Sequence, residues 1–332
     1  GSIGLSLLLK RVLEQNGNPL SKITFAAVIV ILFILPTALP EDRSWTSWAD
    51  FPATILNGGS MNTNFTSDDW LDATTWLKEN TPKDSVVSAW WDYGYWITTL
   101  SDRSTLIDNS TLIDWQIKKV AYSFMAPPEQ SWKLLSSSYD DDVSDVLGDD
   151  LILSFGGSLG NFDNCESVFK KEAQEFGLTE NACNPVAKGL DADYVLIYIS
   201  GEKFRFNENL MLHVLEGGGD ESKKIWFARI SDQQPSKFIM DDGVTPTNYF
   251  MENTLLGKLI PFSIVKFVEP NTGRAFDEYR SGFIPVYAKN VKYIDPENDP
   301  FYLVYASPSF YSEIPGPMST VLIYKINHDY NP

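Results

Sequence analysis

The longest apolar run of the chain lies near its start. Residues 23–39 read ITFAAVIVILFILPTAL, seventeen positions without a charge. As a helix they would extend roughly 25 Å, close to the ~30 Å hydrocarbon core of a bilayer. Basic residues precede the run from Lys10 to Lys22, and two acidic residues follow it. Because basic residues favour the cytoplasmic side, the pattern predicts a transmembrane helix at 23–40 with the rest of the chain outside the cytoplasm.

The segment before this run is also apolar at its beginning. The stretch IGLSLLL at 3–9 is typical of the end of a preceding membrane helix, so residues 1–22 would contain that helix end and a short cytoplasmic loop. A signal peptide cleaved near Leu39 and a buried core helix are the alternatives for the apolar run. Both the anchor and the signal peptide place the large domain on the extracytoplasmic face, and the anchor places the protein in the cell membrane.

After residue 40 the hydrophobic pattern alternates between helical and strand-like spacing. Apolar positions after Ser67 predict a helix, a second helix is expected from Thr111 to Met125, and a third helical stretch at 248–259. Short β-branched or aromatic runs predict strands at 86–91, 194–199, 283–288, 302–306 and 321–326.

The predicted fold class is therefore α+β: one N-terminal transmembrane helix, then a mixed α/β globular domain whose C-terminal part is richer in strands. We expect an extracytoplasmic core at 41–260 and a strand-rich part at 261–332. Residues 139–189 are expected to be an insertion. It begins with YDDDVSDVLGDD, which carries six aspartates and lacks the glycine and terminal glutamate of an EF-hand loop. A solvated acidic loop is the prediction there.

Composition excludes several functions. The chain has 332 residues and a formal net charge of −18, which opposes binding to nucleic acid. Its two histidines, His213 and His328, lie far apart in sequence. Neither has a recognisable catalytic context, so histidine-dependent nucleophilic catalysis is not expected.

Export changes the interpretation of the cysteines and of two sequons. Cys165 and Cys183 are the only cysteines, and in an oxidising compartment we expect them to form a disulfide, with two free buried thiols as the alternative. Asn64-Phe-Thr and Asn109-Ser-Thr are possible glycosylation sites. Asn109 could instead have a structural role in a turn.

Tryptophan is concentrated in one region. Nine of the ten tryptophans fall between Trp45 and Trp132, three of them in the heptapeptide that starts at Trp90. An indole N–H only donates and a carboxylate only accepts, whereas a Ser or Thr hydroxyl does both. Two indoles and one aspartate could therefore bind a hydroxyl. An aromatic core and a stacking platform for carbohydrate are the alternatives.

The pentapeptide WWDYG at 90–94 resembles the signature of the catalytic subunit of oligosaccharyltransferase. Four further segments are similar to that family: DRSTLIDNST at 102–111, DYVLI at 193–197, GGDESKKIWFARIS at 218–231 and NTLLGK at 253–258. The resemblance implies an enzyme that transfers a lipid-linked oligosaccharide to Asn in Asn-x-Ser/Thr. The archaeal single-subunit type is the preferred assignment, with this chain as its last membrane helix and C-terminal domain.

The resemblance also implies residue roles. Trp90, Trp91 and Asp92 would bind the acceptor hydroxyl within a motif completed by Tyr93 and Gly94. Asp220, Lys223 and Phe227 stand where the family has D-x-x-K-x-x-x-M/I, so Asp220 and Lys223 would support the same pocket. Phe227 would touch the methyl of an acceptor Thr, although Phe departs from the family pattern and puts the preference for Thr over Ser in doubt. Without the resemblance, Asp220 and Lys223 predict an ordinary i,i+3 salt bridge on a half-buried helix.

Several parts of the implied enzyme lie outside this sequence. The family's divalent metal, Mg²⁺ or Mn²⁺, is held by acidic residues of a multi-helix membrane domain, so no catalytic residue and no metal ligand is assigned here. The implied partners are the acceptor polypeptide, a dolichol-type lipid-linked glycan, membrane lipids and that membrane domain. The chain alone is expected to be inactive. The alternatives are a membrane-tethered module that binds carbohydrate or a surface, and a structural tethered protein.

Overall fold

The computed structural model describes residues 10, 19–38, 54–56, 66–156, 185–206, 208–214 and 219–331. The chain divides into two compact units, residues 1–53 and 54–332. Three predicted sites lie outside the described residues, namely Cys165, Cys183 and Asn64.

The first unit contains three consecutive helical segments. These are the α-helix Pro19–Ile29, the π-helical turn Val30–Ile34 and the α-helical turn Leu35–Ala38. Among the residues that the structure describes, no helix is both long enough and apolar enough to cross a membrane. The transmembrane helix predicted at 23–40 is therefore not confirmed.

The second unit is built around one mixed sheet. Its described strands are β1 Val86–Ser88, β2 Ser104–Thr105, β3 Tyr194–Phe206, β4 Asn209–Val214, β5 Phe262–Val268, β6 Ala275–Phe276, β7 Ile284–Lys289, β8 Phe301–Ala306 and β9 Gly316–Ile326. Strands from both sides of residue 260 therefore belong to one sheet. The helices predicted around them, together with this sheet, give the expected mixed α/β class.

Strand β3 is the centre of the sheet. One edge pairs with β1 in parallel and, further along, with β4 in antiparallel. The other edge pairs with β9 over ten residues, from Tyr194 opposite Lys325 to Lys203 opposite Gly316. The first half of β3 is buried because helices and neighbouring strands cover it, so YVLIYI forms the middle of the hydrophobic core. The predicted strand at 194–199 is confirmed and is longer than expected.

Helices cover the sheet and connect its strands. The larger α-helical segments of this unit are Asp69–Asn80, Asp114–Met125, Pro128–Ser136, Ser144–Gly156, Gly219–Ser222, Lys224–Ile230, Asn248–Asn253, Leu255–Leu259 and Pro308–Tyr311. The helix predicted after Ser67 begins at Asp69, and its buried face includes Trp70 and Leu77 as the apolar pattern indicates.

Two predicted helices differ in extent from the structure. The second begins at Asp114 rather than Thr111, because Thr111 closes a turn with Asp108. The stretch at 248–259 is two short helices, since Thr254 adopts an extended conformation and its hydroxyl accepts the N–H of Gly257 to cap the second.

The acidic stretch at 139–150 is not the predicted loop throughout. A helix begins at Ser144 and continues to Gly156, with a kink where Gly148 takes a φ of 71°. Val143 and Leu147 are buried although aspartates surround them, and Asp145 pairs with Lys133 of the preceding helix. Burial of these apolar positions stabilises a helix here, although the high density of aspartates predicted a loop.

Candidate functional site

The WWDYG segment lies where strand β1 ends. The strand predicted at 86–91 stops at Ser88, and the chain enters a 3₁₀ turn at Trp91–Tyr93, a helical turn at Gly94–Trp96 and a π turn at Ile97–Ser101. Trp90 keeps an extended backbone and precedes the turn. The motif therefore leaves the sheet at the end of a buried strand, where side chains can face outward.

Gly94 allows this turn to approach the following loop. A Cβ at position 94 would lie 2.4 Å from the Cβ of Asp108 and 2.8 Å from the carbonyl oxygen of Ile107. Such distances exclude any side chain without movement of the backbone. A glycine is therefore required where the two segments touch.

The second motif comes from two short helices and not from one. Helix Gly219–Ser222 ends before Lys223, and helix Lys224–Ile230 follows that residue. Gly219 has a φ of +76°, and a Cβ there would lie 2.7 Å from the amide nitrogen of Ser200 in β3. This close approach seats the motif against the centre of the sheet. Asp220 lies in the first of these helices, Lys223 between them and Phe227 in the second.

Four side chains from the two motifs form a continuous chain of hydrogen bonds. Lys223 Nζ lies 2.7 Å from Oδ2 of Asp92 and 2.8 Å from the Tyr93 hydroxyl. The Tyr93 hydroxyl donates to Oδ1 of Asp220 at 2.9 Å. The other oxygen of Asp220 accepts the backbone N–H of Tyr198 at 2.8 Å. The structure thus brings together residues that are about 130 positions apart.

This arrangement corrects the i,i+3 salt bridge. Lys223 pairs with Asp92, and Tyr93 lies between Lys223 and Asp220 as the donor to the carboxylate. The Lys223 ammonium also lies 4.5 Å from the centroid of the Tyr93 ring, a cation–π contact. The lysine therefore belongs to both motifs at once.

Burial differs sharply along the chain of hydrogen bonds. Asp220 and Tyr93 are buried, whereas the side chains of Lys223 and Asp92 are 22% and 38% exposed. Within the described residues, Oδ1 of Asp92 has no hydrogen-bond partner. The site thus presents a carboxylate oxygen to solvent while the other oxygen of the same carboxylate is held by an ammonium.

The buried end has perturbed acidity. Burial raises the pKa of the Asp220 carboxyl to about 6, although the nearby Lys223 ammonium and the hydrogen bonds from Tyr198 and Tyr93 oppose the rise. Burial, with the Asp220 charge beside it, holds the pKa of the Tyr93 phenol well above its usual value. Tyr93 is therefore a stable hydrogen-bond donor at neutral pH.

The two tryptophans of the motif do not form a flat surface. Trp90 is buried, its ring is perpendicular to that of Trp91 at 6.3 Å, and it meets Phe227 edge-on at 4.5 Å. Phe227 is fully buried and also stacks on Phe124 at 5.4 Å. Trp91 is only partly buried and lies beside Asp92.

Comparisons with known proteins point to one family. Residues 83–145 match the STT3/PglB/AglB core domain. The resemblance to oligosaccharyltransferase subunits is confirmed. The matched window contains the whole WWDYG motif, whereas Asp220, Lys223 and Phe227 lie beyond it.

Two relatives and one solved structure illustrate the similarity. The chain is 33% identical over 159 residues to the dolichyl-diphosphooligosaccharide–protein glycosyltransferase subunit stt3 of Schizosaccharomyces pombe, which covers 48% of this chain and 19% of that subunit. It is 40% identical over 90 residues to the STT3 subunit of Saccharomyces cerevisiae, which covers 27% of this chain and 12% of that subunit. The chain thus spans about a fifth or less of these relatives. The crystal structure of the C-terminal globular domain of oligosaccharyltransferase from Archaeoglobus fulgidus aligns with 68% of this chain and 99% of its own, with 15% identity and a TM-score of 0.29.

Some residues of the STT3-like site are absent from the sequence-based prediction. Trp70, Trp96 and Tyr198 surround the Tyr93 ring at centroid distances of 4.7, 6.1 and 6.0 Å. Trp70 and Tyr198 come from two other segments, so no local pattern joins them to Tyr93, whereas Trp96 follows Tyr93 by three positions in the same heptapeptide. The apolar stripe that contains Trp70 predicted that this side chain is buried, but it did not indicate which residues the side chain contacts.

A buried ion pair lies next to the second motif. Lys224 Nζ lies 2.9 Å from Oε1 of Glu221, which also accepts the Tyr287 hydroxyl at 3.2 Å. Both charged side chains are at most 4% exposed. This pair ties the helices around Lys223 to strand β7. The i,i+3 spacing of Glu221 and Lys224 could have predicted this ion pair. Spacing alone does not discriminate, however, because Asp220 and Lys223 have the same spacing and do not pair.

The described residues do not supply a ligand set for the metal that the family resemblance implies. They contain no group of three His, Cys, Asp or Glu side chains that could hold a metal ion. The donor set of this part of the chain therefore does not fit a divalent cation, and no step of the chemistry is assigned through one.

Proposed function

We propose that this chain is the acceptor-recognition part of an oligosaccharyltransferase, the enzyme that transfers a lipid-linked oligosaccharide to Asn in Asn-x-Ser/Thr sequons. The observation that carries the proposal is the half-exposed Asp92 carboxylate, fixed at 2.7 Å by Lys223 inside a WWDYG motif. The match of residues 83–145 to the STT3/PglB/AglB core domain supports it.

The geometry suits a hydroxyl group. Lys223 occupies Oδ2 of Asp92 and leaves Oδ1 to accept the acceptor's O–H. The indoles of Trp90 and Trp91 supply the N–H donors that the same hydroxyl oxygen needs. A site whose polar groups require a hydroxyl rejects a peptide that lacks one, because those groups would remain unpaired on binding. Holding the sequon in one orientation lowers the entropic part of the barrier.

Phe227 has an indirect role in this proposal. Its ring is fully buried against Trp90, so we infer that it positions the Trp90 indole. The contact with the methyl of an acceptor Thr that the family resemblance implies stays a prediction. Comparison of Ser- and Thr-containing acceptor peptides measures the preference directly.

The remaining parts of the reaction lie elsewhere in this proposal. A divalent cation, Mg²⁺ or Mn²⁺, would be bound by a multi-helix membrane domain outside this chain and would activate the reacting groups there. The donor would be a dolichol-type lipid-linked oligosaccharide. The enzyme would lie in the cell membrane with this domain on the extracytoplasmic face, and the archaeal single-subunit type remains our preferred assignment.

The experiment uses the whole enzyme and this chain in parallel. With donor and a sequon peptide, we expect the whole enzyme to transfer the glycan, its Asp92→Ala variant to lose that activity while keeping its fold, and this chain alone to be inactive. Glycan transfer by the isolated chain would contradict the proposal that the rest of the catalytic site lies outside this chain. Full activity of the Asp92→Ala enzyme contradicts the acceptor role.

A carbohydrate-binding module is the second candidate, and the geometry weighs against it. Sugar rings stack on exposed aromatic faces, but Trp90 is buried and perpendicular to Trp91. The same Asp92→Ala variant separates the candidates. Unchanged glycan transfer with reduced sugar affinity would favour the binding module.

A further inference from the structure

A cavity lies on the sheet, formed by residues that the proposed function does not use. We name it the sheet-face cavity; it measures about 290 Å³ and is lined by Lys203, Asn209, Leu210, Met211, Leu212, Phe262, Tyr287, Ala288, Lys289, Phe310, Ser312 and Glu313. None of them belongs to the WWDYG or the D-x-x-K segment.

The strand register places its key side chains on one face. Lys203 pairs with Leu212, and Leu212 pairs in turn with Tyr287. Lys289 follows Tyr287 by two positions and pairs with Phe262. Since paired residues and residues two apart in a strand share a face, these five side chains lie on the same side of the sheet.

A short helix closes this face. Phe310, on the helical turn Pro308–Tyr311, packs edge-on against Phe262 at 5.9 Å. The Lys289 ammonium lies 3.9 Å from the centroid of the Phe310 ring. The cavity thus has an apolar interior of Leu and Phe side chains, with two ammonium groups at its wall.

In the described part of the chain, the two lysines contact carbonyl oxygens and an aromatic ring. Lys203 is buried, and its ammonium donates to the backbone carbonyls of Ser309 and Ser312, both at 2.6 Å. Within the described part of the chain, neither Lys203 nor Lys289 forms a salt bridge. Glu313 lines the cavity without pairing with either lysine.

Burial and the neighbouring charge act together on Lys203. Burial lowers the pKa of its ammonium and the Lys289 charge lowers it further, whereas the Glu313 and Asp69 charges oppose the shift. An anion at the cavity wall would reduce the repulsion between the two cations. A neutral ligand would leave this repulsion unchanged.

We propose that the sheet-face cavity binds one apolar chain ending in a single anionic group, a carboxylate or a phosphate monoester, with the anion at Lys203 and Lys289. At about 30 Å³ per heavy atom, the volume accommodates a chain of about ten atoms. This inference does not depend on the proposed function, since the two sites share no residue.

The test is calorimetric titration of the chain with four probes: decanoate, decyl phosphate, decanol and inorganic phosphate. We expect saturable binding of one decanoate or decyl phosphate per chain, and the tighter of the two identifies the head group. Decanol and inorganic phosphate should each bind at least tenfold more weakly, because each lacks one half of the ligand. Equal affinity for decanol, equal affinity for inorganic phosphate, or no saturable binding of either anionic amphiphile would overturn the proposal.

Exposed variants locate the site. Lys289→Gln should weaken decanoate binding roughly fivefold, and Glu313→Gln should strengthen it roughly two- to fivefold, by the usual size of a surface charge interaction. Lys325→Gln is the matched control, because it lies nine residues from Lys203 along the β3–β9 pairing, roughly 30 Å away. Leu210→Trp keeps every charge, fills the cavity and should abolish binding. Equal effects of Lys289→Gln and Lys325→Gln, or undiminished binding by a folded Leu210→Trp variant, would contradict the assignment.

Discussion

Lys223 Nζ lies 2.7 Å from Oδ2 of Asp92, across 131 positions of sequence. The contact joins the turn after strand β1 to the break between two short helices that rest on strand β3. Through the Tyr93 hydroxyl it continues to the buried Asp220. A surface carboxylate is therefore fixed by a network whose other end lies in the core.

Replacing the lysine should impair acceptor use without unfolding the domain. In the whole enzyme, we expect Lys223→Met to lower the rate of sequon glycosylation roughly 10- to 100-fold, the equivalent of losing a hydrogen bond to a charged group. The control is Lys266→Met, which breaks an exposed pair with Asp277 far in sequence from the motifs. Equal rates for both variants would show that fixing Asp92 does not matter.

The buried carboxyl gives a pH signature. The pKa of Asp220 is about 6 in the folded chain, against 3.8 for an unperturbed Asp. The folded state therefore keeps this proton to higher pH than the unfolded state, and its contribution to stability falls as pH rises from about 4 to about 6. A variant without the Asp220 carboxyl should not show this decrease in stability as pH rises.

Urea unfolding at pH 4, 5, 6 and 7 tests this signature. We expect the unfolding free energy of Asp220→Asn, relative to wild type, to rise by roughly 2 kcal/mol between pH 4 and 7. The exposed Asp84→Asn variant should show no such trend. A difference between Asp220→Asn and wild type that stays constant over this range would rule out titration of Asp220.

Gly94 should be intolerant of even a methyl group. Because the added Cβ would meet Asp108 at 2.4 Å, Gly94→Ala should lower the unfolding free energy by roughly 1–3 kcal/mol, the usual cost of overpacking. Gly282→Asn is the control, since that glycine has a positive φ with open space around it and Asn tolerates this conformation. A stable Gly94→Ala variant would contradict the close approach.

The sequence predicted the scaffold better than the site. The apolar stripe of Asp69–Asn80 and the run YVLIYI of β3 were identified because burial imposes a local period. The turn after Ser88 was mistaken for strand because Trp90 and Trp91 continue an apolar run. Strands β2, β4, β5 and β6 were not predicted.

The contacts of the site lay beyond sequence reasoning for another reason. Asp220 and Lys223 are one helical turn apart, which predicts a mutual salt bridge. In the structure, the Tyr93 hydroxyl lies between Asp220 and Lys223, and Lys223 pairs with Asp92. Residues from distant segments determine which charged side chains pair, and these long-range contacts cannot be read from a single sequence. The family resemblance implied that the two motifs belong together, and the structure places Lys223 against Asp92.

The sequon at Asn109 makes a further prediction. Asn109 is exposed, but the Thr111 hydroxyl accepts the backbone N–H of Asp108 at 2.9 Å and donates to its carboxylate at 3.2 Å. The hydroxyl that an acceptor site must bind is thus occupied in the folded chain. We expect the folded chain to be a poor acceptor at Asn109, with glycosylation confined to the unfolded polypeptide.

Mass spectrometry of the folded chain after incubation with an active oligosaccharyltransferase measures occupancy of Asn109. Unfolded chain should be modified, and folded chain should not. An Asp108→Ala variant, which frees the Thr111 hydroxyl from the carboxylate, should gain occupancy when folded. Efficient modification of folded wild-type chain would show that the turn does not protect the sequon.

The most direct test of the acceptor role is a comparison of two peptides that differ only in the hydroxyl. The whole enzyme and its Asp92→Asn variant are assayed with Asn-Ala-Thr and Asn-Ala-Val acceptors, which are nearly equal in shape. We expect the wild-type enzyme to prefer the Thr peptide by at least 100-fold. In Asp92→Asn this preference should collapse, because turnover of the Thr peptide falls toward that of the Val peptide. An Asp92→Asn enzyme that retains the full preference for Thr would contradict the assignment of Asp92 to the acceptor hydroxyl.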